Sequence, residues 1–400
     1  MKNYLWIIVA TFATLLFSCD DAEEATPELK IEISTTELSR DLAKGEVAAT
    51  IVANAEIESI VFIEKPISSN GYFSLDGADL ILELPLYLVT EDDITVSVNM
   101  MFTNGQFRVV DFTFLLTGES GVRLFPGVTK VTLPVGSEER YYAYYVPQDC
   151  PSDAPVWFIF HGSIKSDVEK TADEILNGCV SMLDSKGLKE VAEKEKVIIV
   201  QPHGLGFGPV KGTYSYGWMD KEADLAFWDE MLKYFQNIIN ADPKTFYASG
   251  KSSGGGMCYD LSCNRADDLA AITPICMNYG LRKKVIAGTI DDFMPENPTN
   301  LRVYLGTDDG IIRYSDEEFY VLDNMSVYAE YGYDCTKEPI ISSGRIETIG
   351  NYEGFDLEIT TYSSPLNKNF EIYGMVGIGH EWRTNLTPHI YEFLSQYTND

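Results

Sequence analysis

The chain has 400 residues, 45% hydrophobic and 23% charged, an ordinary globular composition with room for two domains and a large core. Sixty-one Asp and Glu stand against 30 Lys and Arg, a net charge of −31. A polyanion would be repelled, so nucleic acid is set aside as a partner. Only 4 histidines occur (His161, His203, His380 and His389), and no C-x-x-C is present, so no metal site is expected.

At the start of the chain, Lys2 and the apolar run Leu5 to Phe17 read as the n- and h-regions of a secretory signal, too short for a comfortable membrane span. Leu16-Phe17-Ser18-Cys19 resembles the lipobox of bacterial lipoproteins. That resemblance implies a signal peptide over residues 1–19, acylation of Cys19 and a lipid anchor in a membrane. Asp20-Asp21-Ala22-Glu23-Glu24 resembles surface-export signals of lipoproteins, which points to the outer membrane or cell surface; as plain chemistry it is a solvated acidic tether over residues 20–28. With Cys19 assigned to the lipid, Cys150, Cys179, Cys258, Cys263, Cys276 and Cys335 remain. An even number outside the cytoplasm allows up to three disulfides, in fifteen full pairings.

From Leu29 to Thr117 apolar residues alternate, as in Ile31-Glu32-Ile33, Val47 to Val52, Ile60 to Ile63, Ile94 to Val98 and Val109 to Phe114. Turn signals at Ser69-Asn70-Gly71 and Asn104-Gly105 fall between them. Short alternating strands at this spacing predict a small antiparallel β-sandwich, read as a spacer or accessory module. Thr117-Gly118-Glu119-Ser120-Gly121 reads as a linker.

Residues 124–398 change character. Strands are predicted at Arg140 to Pro147, Val156 to Phe160, Lys196 to Val200, Thr245 to Ala248, Ala271 to Ile275, Leu301 to Leu305 and Phe370 to Met375. Helical spacing appears at Leu188 to Lys194, Asp224 to Ile239, after Ser252, and at Ile390 to Tyr397. Strands alternating with helices predict an α/β fold with a mostly parallel sheet covered on both faces. Ligands then bind at the C-terminal ends of the strands.

Gly250-Lys251-Ser252-Ser253-Gly254 follows a strand and precedes a helix. This G-x-S-x-G pattern places a serine on a strained strand-to-helix turn, with helix N–H groups beside it. A base and an orienting acid in the chain order Ser, Asp, His are supplied by Ser252, Asp309 and His380, each just past a predicted strand. Asp308 competes with Asp309, Ser249 and Ser253 flank the nucleophile, and His389 reads as structural. The Ser253 amide, together with Gly162 or Ser163, is expected to form the oxyanion hole. Two other patterns fail: the earlier glycine of a Walker A loop would fall at Thr245, and an H-E-x-x-H helix would need His where Thr384 stands.

Residues 140–382 resemble α/β-hydrolase esterases of the polyhydroxybutyrate depolymerase, feruloyl esterase and acetyl-xylan esterase type. The resemblance is carried by Phe160-His161-Gly162, Gln201-Pro202-His203-Gly204, the Ser252 pentapeptide with Gly255, Gly306-Thr307-Asp308-Asp309 and Gly379-His380-Glu381-Trp382. The sequence departs from that pattern at His203, where the family carries Asp, and at Lys251. The family spacing G-T-x-D selects Asp309 over Asp308. The resemblance implies a cofactor-free serine esterase acting through an acyl-enzyme on feruloyl or acetyl esters of plant polysaccharide. His161, His203, Trp218 and Trp382 are expected to line the substrate pocket. Polyester hydrolysis, a peptidase on the same fold, and an inactive glycan-binding lipoprotein are the competing readings.

Overall fold

The computed structural model describes residues 28–399, except 41, 43–44, 64–71, 84–85, 87–91, 118–125, 211, 238, 240, 296 and 336–337. The signal segment, Cys19, most of the tether, the Ser69-Asn70-Gly71 turn and most of the linker lie outside the described residues. Among the described residues no helix is long and apolar enough to cross a membrane. The chain divides into two compact units, 1–121 and 122–400.

The first unit contains β1 (Ile31–Ile33), β2 (Glu37–Ser39), β3 (Val47–Ala53), β4 (Ile57–Phe62), β5 (Phe73–Asp76), β6 (Asp79–Leu82), β7 (Asp93–Phe102) and β8 (Phe107–Thr117). Two four-stranded sheets form, β1-β3-β6-β5 and β2-β8-β7-β4. Their inward residues, among them Ile51, Leu80, Val96, Val98 and Phe114, share one core. The Asn104-Gly105 turn closes the β7–β8 hairpin, with Gly105 at φ 79°. The expected all-antiparallel pairing is corrected at one edge: β2 runs parallel to β8.

The second unit contains β9 (Gly127–Val135), β10 (Glu138–Val146), β11 (Val156–Phe160), β12 (Ile164–Ser166), α1 (Ala172–Leu183), α2 (Leu188–Glu195) and β13 (Ile198–Pro202). Then come β14 (Leu205–Val210), β15 (Thr213–Gly217), α3 (Lys221–Asn237), β16 (Phe246–Lys251), α4 (Ser253–Asn264), β17 (Ala271–Ile275) and α5 (Leu281–Ala287). The chain closes with β18 (Asn300–Gly306), α6 (Val321–Tyr333), β19 (Ile340–Ile346), β20 (Phe355–Ser363), β21 (Asn369–Met375) and α7 (Leu386–Leu394). A ten-stranded sheet runs β19-β20-β21-β18-β17-β16-β11-β13-β10-β9. Its centre, from β13 to β21, is parallel, and both edges are antiparallel.

The central strands are apolar runs because helices cover both of their faces. Along β11 the side chains alternate: Val156, Phe158 and Phe160 enter one core with Trp228 and Phe235, while Trp157 and Ile159 enter the other with Tyr391 and Leu394. The chain leaves β11 toward β13 on one side and returns at β16 on the other. That reversal opens a crevice past the ends of β11 and β16, where α/β sheets bind ligands.

All six described cysteines are free, which corrects the disulfide expectation. Cys179, Cys258 and Cys276 are each fully enclosed among apolar neighbours and pack as small hydrophobic residues.

Arg140 on β10 and Asp224 on α3 form an ion pair of 2.8 Å, both side chains only 2% exposed. Burial holds the Asp224 carboxyl up at about 6 against the pull of the guanidinium, which also lies 4.3 Å from the Phe227 ring centre. Asp224→Ala leaves the Arg140 charge without its partner in a dry site. The expected loss is about 3–5 kcal/mol of unfolding free energy, read from urea denaturation; a loss below about 1 kcal/mol would contradict it.

Candidate active site

Only Ser252 separates β16 from α4. Its backbone sits at φ 55° and ψ −120°, a region that residues with a side chain rarely occupy. The turn closes because two glycines flank it. A Cβ on Gly254 would overlap the Phe160 carbonyl, and one on Gly250 would overlap the Gly254 carbonyl. The Ser252 amide donates to the Ile275 carbonyl at 2.9 Å, which ties the turn to β17. Its side chain is half-buried and makes no hydrogen bond among the described residues.

Ser253 heads α4, so its amide has no carbonyl one turn back to bond. Among the described residues the amides of Gly162, Ser163 and Ser253 donate to nothing. Gly162 lies against the turn: a Cβ there would stand 3.4 Å from the Ser252 Cβ. Free amides of Gly162 and Ser253 therefore lie against the serine turn, at the positive end of a helix.

His380 follows β21, and its Nδ1 lies 2.8 Å from Asp309 Oδ2. The other carboxylate oxygen accepts from the amides of Ile311 and Ile312, each at 2.8 Å. Asp309 is thus held on both oxygens and is buried. A carboxylate accepts, so Nδ1 is the donor in this bond. Asp308 is exposed and faces Thr307. His389 contacts the Tyr304 hydroxyl at 3.0 Å, away from this pairing.

Cys276 links the two halves of the site, and nothing in the sequence singled it out. It directly follows Ile275, which accepts the Ser252 amide, and it adopts φ 51°. Its sulfur, one Asp309 oxygen and one His380 nitrogen all lie within 4.8 Å of one another. Sγ also sits 3.9 Å from the Gly379 and Glu381 carbonyls, on either side of His380. The serine turn and the imidazole loop therefore flank the same cysteine. Burial pushes its thiol up to about 12, so it is a neutral packing group there. Cys276, Asp309 and His380 are a trio of metal-ligand types, but the last two already bond each other.

The four expected pocket residues lie deeper than a substrate wall requires. His161 is 7% exposed, His203 3%, Trp218 5% and Trp382 5%. Trp218 donates to the His161 carbonyl at 3.0 Å, and Trp382 donates to Thr387 at 2.9 Å. Their polar tips are satisfied inside the protein, as buried indoles require. His203 borders a cavity of about 410 Å³ with Tyr214 and Tyr216, and Trp382 borders another of about 340 Å³ with Tyr352. A small sheet, β12-β15-β14, covers this side; its signal in the sequence was the glycine spacing at 204, 206 and 217. A Cβ on Gly204 would overlap the Gly217 carbonyl.

Burial lowers His161 from its ordinary 6.5 to about 4, and His203 to about 3. The unfolded chain takes up these protons near 6.5 while the folded protein refuses them. Stability is therefore complete above about 6.5 and falls as pH drops toward 4. At pH 5 each ring is expected to cost about 2 kcal/mol relative to neutral pH. His203→Asn should flatten the decline in urea stability between pH 7 and pH 5; an unchanged slope would contradict the assignment.

No protein-family profile matches the chain. A feruloyl esterase D from Neurospora crassa is 26% identical over 187 residues, which is 46% of this chain and 57% of that protein. A probable feruloyl esterase C from Aspergillus niger is 27% identical over 135 residues, 34% of this chain and 45% of that one. The chain thus spans about half the length of the curated relatives it matches. Among solved structures, an acetyl xylan esterase from Aspergillus awamori superposes with a TM-score of 0.48 at 14% identity, over 67% of this chain and 99% of that one. The strand order and the strained serine turn give residues 122–400 the architecture of an α/β-hydrolase, and part of the chain is similar in sequence to feruloyl esterases.

Proposed function

We propose that the protein is a serine carboxylic-ester hydrolase that removes feruloyl or acetyl groups from plant polysaccharide. The observation that carries this reading is the Asp309–His380 pair, held at 2.8 Å and lying against Cys276, whose preceding residue Ile275 accepts the amide of a serine at φ 55°. In the proposed reaction His380 Nε2 takes the Ser252 proton as Oγ attacks the ester carbonyl. The oxyanion is received by the amides of Ser253 and of Gly162 or Ser163. The tetrahedral intermediate expels the alcohol, which takes the proton from His380, and leaves an acyl-Ser252. A water deprotonated by His380 then releases the acid and restores the serine. Asp309 holds the imidazole in the tautomer that makes Nε2 the base.

The substrate class is drawn from the relatives, whose names specify feruloyl esterases. The lipobox at Cys19 and the acidic run behind it support an extracytoplasmic, lipid-anchored placement. In the first unit the strand orders β1-β3-β6-β5 and β2-β8-β7-β4 correspond to the immunoglobulin-like arrangement, which supports an accessory or spacer module between anchor and enzyme.

Ser252→Ala is expected to abolish hydrolysis of p-nitrophenyl acetate and methyl ferulate at unchanged melting temperature. Asp309→Asn should lower kcat by about 10³–10⁴ through the wrong imidazole tautomer. Activity retained in Ser252→Ala would end the proposal. Hydrolysis of hydroxybutyrate oligomers in preference to both aryl and acetyl esters would replace the substrate assignment.

A further inference from the structure

The loop after β11 supplies Gly162 and Ser163, yet no regular element holds it. Its order comes from one imidazole. The His161 Nδ1 lies 2.6 Å from the Gly162 carbonyl, and its Nε2 lies 2.9 Å from the Gly204 amide. A carbonyl only accepts and an amide only donates, so both partners select the same neutral tautomer, with the proton on Nδ1. The ring's own backbone carbonyl accepts from Trp218 at 3.0 Å. Its faces are covered by His203 at 4.8 Å and Trp218 at 5.5 Å between ring centres.

This arrangement has a direct consequence for Gly162. A bond to its carbonyl sets the peptide plane that follows, which carries the Ser163 amide. The Gly204 amide fixes the imidazole from the other side, and Gly204 is itself pressed against Gly217. The end of β15, the loop after β13 and the loop after β11 therefore meet in one side chain. His203, where the resembled family carries Asp, extends the same stack, with its Nε2 buried and without a partner among the described residues. A neutral ring in that place puts no charge beside the neutral His161.

We propose that His161 is a positioning residue: its imidazole bridges the Gly162 carbonyl and the Gly204 amide, and so aims the oxyanion-loop amides at the developing negative charge beside Ser252. The proposal rests on the serine-esterase reading above. His161 itself touches neither substrate nor the reacting atoms. Removing it leaves the triad intact and loosens one wall of the oxyanion hole, so ground-state binding survives and transition-state binding does not.

Three variants of the full chain separate the two bonds. His161→Asn keeps a donor near the Nδ1 position, His161→Gln keeps an acceptor near the Nε2 position, and His161→Ala keeps neither. Rates are measured on p-nitrophenyl acetate per active site, titrated with a fluorophosphonate. His161→Ala is expected to lower kcat about 10–100-fold with KM within about threefold, and Asn and Gln should fall between it and the wild type. Ki for a trifluoromethyl ketone, which binds as an oxyanion, should rise in step with the loss in kcat/KM. Trp218→Phe should shift both in the same direction by a smaller factor. A folding defect would lower the number of titrated sites and leave kcat per site and Ki alone; that result overturns the proposal. So does an unchanged kcat in all three variants, provided wild type is active and Ser252→Ala is not. Inactive wild type, or active Ser252→Ala, overturns the esterase reading instead.

Discussion

The candidate site in the second unit follows from how closely the turn after β16 approaches the end of β11. The Gly254 Cα sits where a Cβ would run into the Phe160 carbonyl. That approach bends the chain sharply enough to hold Ser252 at φ 55°. It also brings the first turn of α4 and the loop at Gly162 together around one hydroxyl. Positive φ at a serine costs of order 1–3 kcal/mol. The surrounding sheet supplies this several times over: β11 alone buries all five of its side chains, two of them Phe and one Trp, at about 1.5–3 kcal/mol for each large apolar group.

The sheet also sets the division of labour. The parts of the site sit past the C-terminal ends of five neighbouring strands, β13, β11, β16, β17 and β18, with His380 past a sixth, β21. Each loop carries one kind of group: free amides, the serine, a packing thiol, an anchored carboxylate, an imidazole. Rigid strands fix where each loop begins, and short-range bonds fix how it ends. Asp309 is held by two amides of its own loop, and His161 by its neighbours across the crevice.

The cysteines show how a compositional rule gives way to packing. Six of them in an exported chain would invite pairing, yet in this fold all six are free, and Cys179, Cys258 and Cys276 are enclosed by apolar groups. The aromatic residues teach the same lesson. Trp382 stands two residues after His380 in sequence, yet both it and Trp218 turn their indoles inward, where each N–H finds a partner.

Local chemistry was enough for much of this. The all-apolar strands, the alternation in the first unit and the G-x-S-x-G turn were all legible, because each depends on steric rules that act within a few residues; the expected order Ser252, Asp309, His380 came from chain order and motif resemblance instead. The edge strand β19 was missed because it is exposed along most of its length, and β9, at the other edge, was missed because none of its residues is fully buried. Only the tertiary structure put Asp309 within 2.8 Å of His380, put Cys276 between the serine turn and the imidazole loop, paired β2 parallel to β8, and made His161 the tie between two loops. Those outcomes depend on which groups meet across 40 to more than 100 residues of chain, and short-range periodicity carries no record of such meetings.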